Sequence, residues 1–290
     1  MEYHRDRFED YSLVVQKDQK MVALLPANRK GAEVHSHQGL TYGGLLLGKK
    51  LKFNETLLIF QAVLQYLHVE GIETLHIKLI PANYHKIPSD ELEYLLFISE
   101  ATLTRVDVSS VIEQAAKLKI QSNRLQGVKK ADKQGLKIKE DASFKAFWAK
   151  ILEPNLKEKH QTKPVHSVEE IEKLAHRFPK NIRQFNVWKG DEIVAGATLF
   201  ETETVVRVQY ISANADKQQL GSLDFLFQYL IENCYADKKF FDFGISNENQ
   251  GKNLNQGLLY WKETFGARSI ACKFYEVNTA NYTKFDSVFL

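Results

Sequence analysis

The sequence predicts an α/β protein made of two copies of one unit, each a mixed, mainly antiparallel sheet flanked by helices. Three observations carry that prediction. Strand-like and helix-like hydrophobic periodicities alternate along the chain. Segments also repeat in order: YSLVVQKDQKMVALLPA and FNVWKGDEIVAGATLF read as hairpins, LLIFQAVLQYL and LDFLFQYLI as helices, IETLHIKLI and KKFFDFGI as strands. The offset between copies drifts from 174 at Tyr11/Phe185 to 166 at Thr74/Phe240, so loops change length while the order holds. Finally, 290 residues with 44% hydrophobic content suit two cores. The expected domains are 1–112 and 113–290.

In the first copy, Tyr11 to Val15 and Met21 to Pro26 are strands joined by Lys17-Asp18-Gln19-Lys20. Glu33 to Leu45 is a loop and strand with three glycines, and a helix runs from an Asn54 cap to about Glu70. Thr74 to Ile80 and Ala101 to Val108 are strands, while Glu91 to Ile98 fits a helix or a strand equally. Between the copies, Lys117 to Lys139 carries eight Lys or Arg residues against the single acid Asp132. It reads as a solvated surface segment, or as a phosphate-contacting rim.

Phe144 to Leu152 and Ser167 to Phe178 are helices, the second with Ser167 and Glu170 spaced as a capping box. Phe185 to Lys189, Glu192 to Glu201 and Thr204 to Ile211 form a meander around a Gly190-Asp191 turn. A helix from Asp216 to Ala236 aligns Leu220, Leu223, Phe227, Leu230, Ile231 and Cys234 on one stripe. Phe240 to Phe243 is a strand that places Asp242 opposite Phe241 and Phe243. Burying a carboxylate there is costly unless it is paired, so Asp242 needs a partner. The Asn- and Gly-rich loop Ile245 to Asn255 could supply one. Asn255 then caps a helix whose Leu254, Leu258, Trp261 and Phe265 share a face, with Lys262 beside them and Gly266 as the stop. Ala267 to Tyr275 is the last strand.

Composition excludes several classes. Two cysteines, Cys234 and Cys272, argue against a disulfide scaffold and for a reducing compartment. The charged opening MEYHRDRFED and the lack of a long apolar run predict a soluble, cytoplasmic chain without a membrane span. A net charge of +3 gives a weak overall field, so an anion site must be local and no DNA partner is expected. No G-x-S-x-G occurs and neither cysteine sits in an evidently activating context, which agrees with chemistry that needs no covalent nucleophile. His35 and His37 have no accompanying ligand cluster, so no metal is expected. Gly221 could serve a phosphate-binding helix start or merely permit close packing.

FDFG, a dozen polar residues and then GLLYWKETFGA resemble the C-terminal signature of Fem-type (FemABX) aminoacyltransferases and their FemAB-like relatives in the GNAT superfamily. Trp261-Lys262 stands where that family has its aromatic-lysine pair, with tryptophan where phenylalanine is commoner. RLQGVKKADKQGLKIKED is similar to the basic opening of the second Fem domain. The resemblance implies tandem GNAT-like domains, acceptor on the first side and donor on the second. Asp242 and Lys262 would be catalytic, with Lys262→Ala lowering turnover at little cost in stability. Gln218, Gln219, Gly221 and Ser222 keep part of the superfamily's phosphate motif, although Leu223 replaces its last small residue. His37, Tyr42, Tyr210 and Trp261 would line the substrate site, with Ser246, Asn247, Glu248 and Asn249 as lower-ranked lining residues; a structural turn is the competing reading at His37 and Tyr42.

The expected activity is N-acyl transfer to an amine by direct attack. Acyl-CoA is the favoured co-substrate and no tightly bound cofactor is expected; the acceptor is a small amine or an envelope precursor. Three alternatives remain: a Fem-type enzyme using aminoacyl-tRNA on a peptidoglycan precursor, a catalytically decayed binding module, or a nucleic-acid binder using the basic run.

Overall fold

The computed structural model describes residues 5–142, 144–160 and 164–289, so the first four residues of the charged opening lie outside the described residues. Strands β1 (Leu13–Lys17), β2 (Lys20–Leu25), β3 (Asn28–Lys30) and β4 (Glu33–His35) come first, followed by helix α1 (Phe53–Val69), β5 (Thr74–Lys78), α2 (Glu91–Ile98) and β6 (Thr102–Glu113). Next come α3 (Ser122–Lys133), β7 (Lys137–Glu140), α4 (Val168–Arg177) and the meander β8 (Ile182–Lys189), β9 (Glu192–Glu201) and β10 (Val205–Ala213). Helix α5 (Ser222–Tyr229), β11 (Phe240–Ile245), α6 (Gln256–Glu263) and β12 (Arg268–Asn278) complete the order. The α/β class holds, and Glu91–Ile98 resolves as a helix.

The chain divides into two compact units. One holds the residues up to Asp107 together with those from Ala271 on; the other spans Val108–Ile270. This differs from the expected 1–112 and 113–290, which assign the whole C-terminus to the second copy. The reason is a pairing over long sequence distance: β12 lies antiparallel to β5, from Phe274 beside Lys78 to Asn278 beside Thr74. Val277 and Phe285 then complete the first core.

In the first unit, α1 buries Leu57, Phe60, Val63, Leu64 and Leu67, a spacing of three and four that keeps one face inward. The helix starts before the expected Asn54 cap. Lys52 is the cap residue, and its backbone N–H donates to the Glu55 carboxylate at 3.2 Å. Because β4 and β5 run parallel, the strand–helix–strand β4–α1–β5 is the unit's organising motif. The β1–β2 hairpin lies in a separate small sheet with Leu46–Leu47, so it does not hold the place that the meander holds in the second copy.

The second unit has strand order β6-β11-β10-β9-β8-β7, antiparallel apart from the β10–β11 pair. Strand–helix–strand recurs as β10–α5–β11. The basic stretch is folded into this unit: α3 packs on the start of α5, and β7 is the edge strand beside β8. The expected single helix 216–236 breaks at Gly221, whose φ of 65° ends the short helix Lys217–Leu220. A Cβ at Gly221 would lie 2.1 Å from the Gly127 carbonyl oxygen of α3, so the two glycines let the backbones touch. Ser167 and Glu170 form the predicted capping box, and Asn255 caps α6 by accepting from the Leu258 N–H. Leu254, expected on the inner face of α6, is exposed, because the helix begins only at Gln256.

Candidate active site

The candidate site begins where β10 and β11 stop pairing. Their parallel register runs through Val205–Phe240 and Val206–Phe241 and ends at Arg207–Asp242. Beyond that pair β10 continues to Ala213, with Gln209 as an extra bulged residue against β9. On β11 a bulge against β6 carries Gly244 at φ 78°. The sheet therefore forks at a polar pair.

Asp242 is buried at that fork, and its partners are those a buried carboxylate requires. Oδ2 accepts from Arg207 Nη1 at 2.8 Å. Oδ1 accepts from Ser109 Oγ at 2.6 Å and from the Gly244 backbone N–H at 2.7 Å. That last bond explains the Asp-Phe-Gly triplet: the carboxylate caps the amide two residues on, and glycine supplies the left-handed turn.

Lys262 reaches the same strand end from α6. It is 3% exposed, and Nζ donates to Gly244 O (2.9 Å), Ile245 O (2.8 Å) and Ser246 Oγ (2.9 Å). Burial pushes its pKa down to about 7, with Asp242 raising and Arg207 lowering it further. The three oxygens around Nζ favour the ammonium, and that ammonium has no N–H left over. The expectation that Lys262→Ala leaves stability almost untouched is therefore revised, because the side chain is interior. Lys262 is bound to the strand end through all three of these contacts. It and Asp242 consume Gly244 N–H, Gly244 O and Ile245 O, the groups with which β11 would otherwise continue pairing, and the fork stays open.

Ser246 is buried under this network, and Asn247 Oδ1 accepts from the Val108 N–H at 2.6 Å, tying the loop to β6. Glu248 is exposed and accepts from Asn255 Nδ2 at 3.0 Å; Asn249 donates to Asn253 Oδ1 at 3.1 Å. On β10, the Tyr210 hydroxyl lies 2.7 Å from His166 Nδ1 and accepts from the His166 N–H at 3.2 Å, with its ring edge-on to Trp148. Burial raises its pKa, so the phenol stays protonated.

Other expected residues go elsewhere. Trp261 is partly buried and packs edge-on against Phe227 and Phe265 at 5.1 and 5.0 Å, beside Phe243, at the margin of the second core. Gln218 and Gln219 are exposed on a four-residue helix, Gly221 is pressed on Gly127, and Ser222 is fully buried. Asp224 sits in the first turn of α5, bonded to Arg124 at 2.7 Å, which further disfavours a phosphate there. His37 and Tyr42 belong to the first unit. His37 is buried, its Nδ1 accepting from the Gly39 N–H, and the Tyr42 ring packs at a tilt against Tyr84, centroids 4.3 Å apart. Nearby Gly43 fits so closely that a Cβ would lie 2.3 Å from Ser36 O, and its N–H donates to Lys78 O; this segment closes the end of β4–β5.

Arg207, Ser109 and His166 were not anticipated from sequence. The signal for Arg207 was available: a cation between buried valines in VVRVQYIS demands an acid, and Asp242 is the matching residue of the next strand.

Residues 122–256 match the acetyltransferase (GNAT) domain family. The sequence matches no curated protein. Among solved structures, FemX is similar over 96% of this chain and 90% of its own, at 9% identity and TM-score 0.64. L-PGS from Bacillus licheniformis is similar over 89% and 81%, at 13% identity and TM-score 0.61. A tandem GNAT protein from the clavulanic acid biosynthesis pathway covers 92% and 82%, at 9% identity and TM-score 0.50. The activity that accompanies the matched domain is acyl transfer. Residues 122–256 are thus similar in sequence to the acetyltransferase (GNAT) domain, and nearly the whole chain shares the fold of FemX and L-PGS.

Proposed function

We propose that the protein transfers an acyl group from an activated ester or thioester to an amine, at the fork between β10 and β11. The observation that carries this is the end of the β10–β11 register at Arg207–Asp242, with the last polar groups of β11 held by Asp242 and Lys262. An acyl group lying in the fork can pair its carbonyl with backbone N–H groups of β10, which gives oxyanion stabilisation from preorganised dipoles. The neutral amine nitrogen attacks the acyl carbon, the tetrahedral intermediate collapses, the leaving oxygen or sulfur takes a proton, and the nitrogen gives one up, which restores the group that supplied it. Tyr210, protonated and coupled to His166, is the group on β10 suited to give that proton. No covalent enzyme intermediate is needed.

For the donor, the aminoacyl ester of a charged tRNA is the reading we favour. Two features support it. The turn at Gly221, where a coenzyme pyrophosphate would bind, is pressed on α3 beside the Asp224 carboxylate. The lysines at 129, 130 and 133 on α3, and at 137 and 139 on β7, are exposed and offer sequence-independent phosphate contacts. Acyl-CoA is the second reading, favoured by the match to the acetyltransferase domain across that same turn. Transfer assays with charged tRNA and with acetyl-CoA, each over a salt series, separate them. Turnover from charged tRNA that falls steeply with salt supports the first; turnover from acetyl-CoA with weak salt dependence replaces it with the second. No transfer from either donor to any amine overturns the assignment of the fork.

A further inference from the structure

The parallel strand pair of the first unit also ends in a polar pair. Its register runs Glu33–Thr74, Val34–Leu75 and His35–His76, the same three-step pattern that ends in Arg207–Asp242 in the second unit. His76 lies beside Glu276 of β12 on its other side. Glu33 is two residues before His35 in a strand, so it shares its face. Register alone thus gathers two imidazoles and two carboxylates on neighbouring strands of one unit.

Their side chains converge. The two rings stack with centroids 4.2 Å apart and planes 11° from parallel. His35 Nε2 and His76 Nε2 are each 3.4 Å from Glu33 Oε2, and neither nitrogen makes a hydrogen bond among the described residues. Ligand atoms of the three residues all lie within 4.8 Å of one another. Ligands about 2.0–2.2 Å from a tetrahedral zinc stand about 3.3–3.5 Å apart, which is the nitrogen–oxygen spacing here. His76 Nδ1 is 3.3 Å from Glu276 Oε1, so an Nδ1–H directed at that carboxylate leaves the Nε2 lone pair for a metal. Because ring planes this close to parallel do not meet near the imidazoles, an ion held by both Nε2 atoms requires one ring to turn out of the stack.

We propose that Glu33, His35 and His76 form a binding site for a divalent zinc-type cation, with Glu276 orienting His76 and a solvent molecule as fourth ligand. The half-exposed Glu33 gives the ion its route in. This revises the sequence-based expectation of no metal: His37 takes no part, and the companions of His35 come from Glu33 on its own strand and His76 on the next. The inference is independent of the acyl-transfer reading, and its test uses no activity.

The experiment is Zn2+ titration of the chelator-stripped full chain against a chromophoric competitor, with Co2+ absorption as a geometric readout. Expected are one Zn2+ per chain, intense visible bands of four-coordinate Co2+, and a Zn2+-dependent rise in Tm. His35→Gln and His76→Gln should each weaken binding at least about 100-fold, and Glu276→Gln about 10- to 100-fold, as loss of an orienting partner does. His68→Gln should change nothing. Absence of saturable binding, or equal affinity in the His35 and His76 variants that retain wild-type circular dichroism, overturns the proposal.

Discussion

At the scale of single residues, Lys262 makes the sharpest predictions. Lys262→Met leaves Gly244 O, Ile245 O and Ser246 Oγ without their shared donor, and should cost about 3 kcal/mol in urea unfolding. The wild-type group also has a pH signature. Its folded pKa of about 7 lies below the ordinary lysine value of 10.5, so between those values the unfolded chain binds more protons and stability rises with pH. Below about pH 7 the burial penalty is present in full. The gap between wild type and Lys262→Met should therefore widen from pH 7 to pH 10, measured as the urea midpoint at each pH; a constant gap would mean that the amine titrates normally. Tyr210→Phe removes the proposed proton donor but keeps the ring against Trp148. It should lower kcat by at least about 100-fold while costing only about 1 kcal/mol of stability. Unchanged kcat would remove Tyr210 from the reaction.

At the scale of elements, the decisive contact is between α3 and the start of α5. Gly221→Ala combines a left-handed φ of 65° with a Cβ 2.1 Å from Gly127 O, and should destabilise by about 2–4 kcal/mol. Gly190→Ala is the control: its φ is 59° but nothing lies within 4 Å, so only the backbone term of about 1 kcal/mol remains. Tryptophan fluorescence during urea unfolding compares the two, and equal losses would show that the Gly127 contact contributes nothing. The same contact shows how far sequence reached. Gln218-Gln219-Leu220-Gly221 was legible as a helix start with a special glycine, since turn chemistry is local. Whether that glycine serves a phosphate or a neighbouring helix depends on Gly127 of α3, 94 residues upstream of it.

At the scale of the molecule, the two units carry separate cores, and all three tryptophans, Trp148, Trp188 and Trp261, lie in Val108–Ile270. Phe285, 2% exposed in the first core, therefore offers a test of the division. Phe285→Ala should cost the first unit about 3–5 kcal/mol, lowering the midpoint followed by far-UV circular dichroism while the tryptophan-emission midpoint stays in place. Coincident shifts of both probes would show that the chain unfolds as one cooperative block.

The sequence by itself determined the α/β class, the duplicated strand–helix–strand plan, the caps at Ser167 and Asn255, and the need of Asp242 for a partner. These follow from periodicities of two and about 3.6 residues, from caps that act within a turn, and from the cost of burying a charge. Only the tertiary structure decided that the partner is Arg207, that Lys262 spends all its hydrogens on the strand end, that the chain's last twenty residues complete the first core, and that His35 meets His76. Each of these depends on strand order and register between segments far apart in the chain, where a one-residue slip would turn every side chain to the other face.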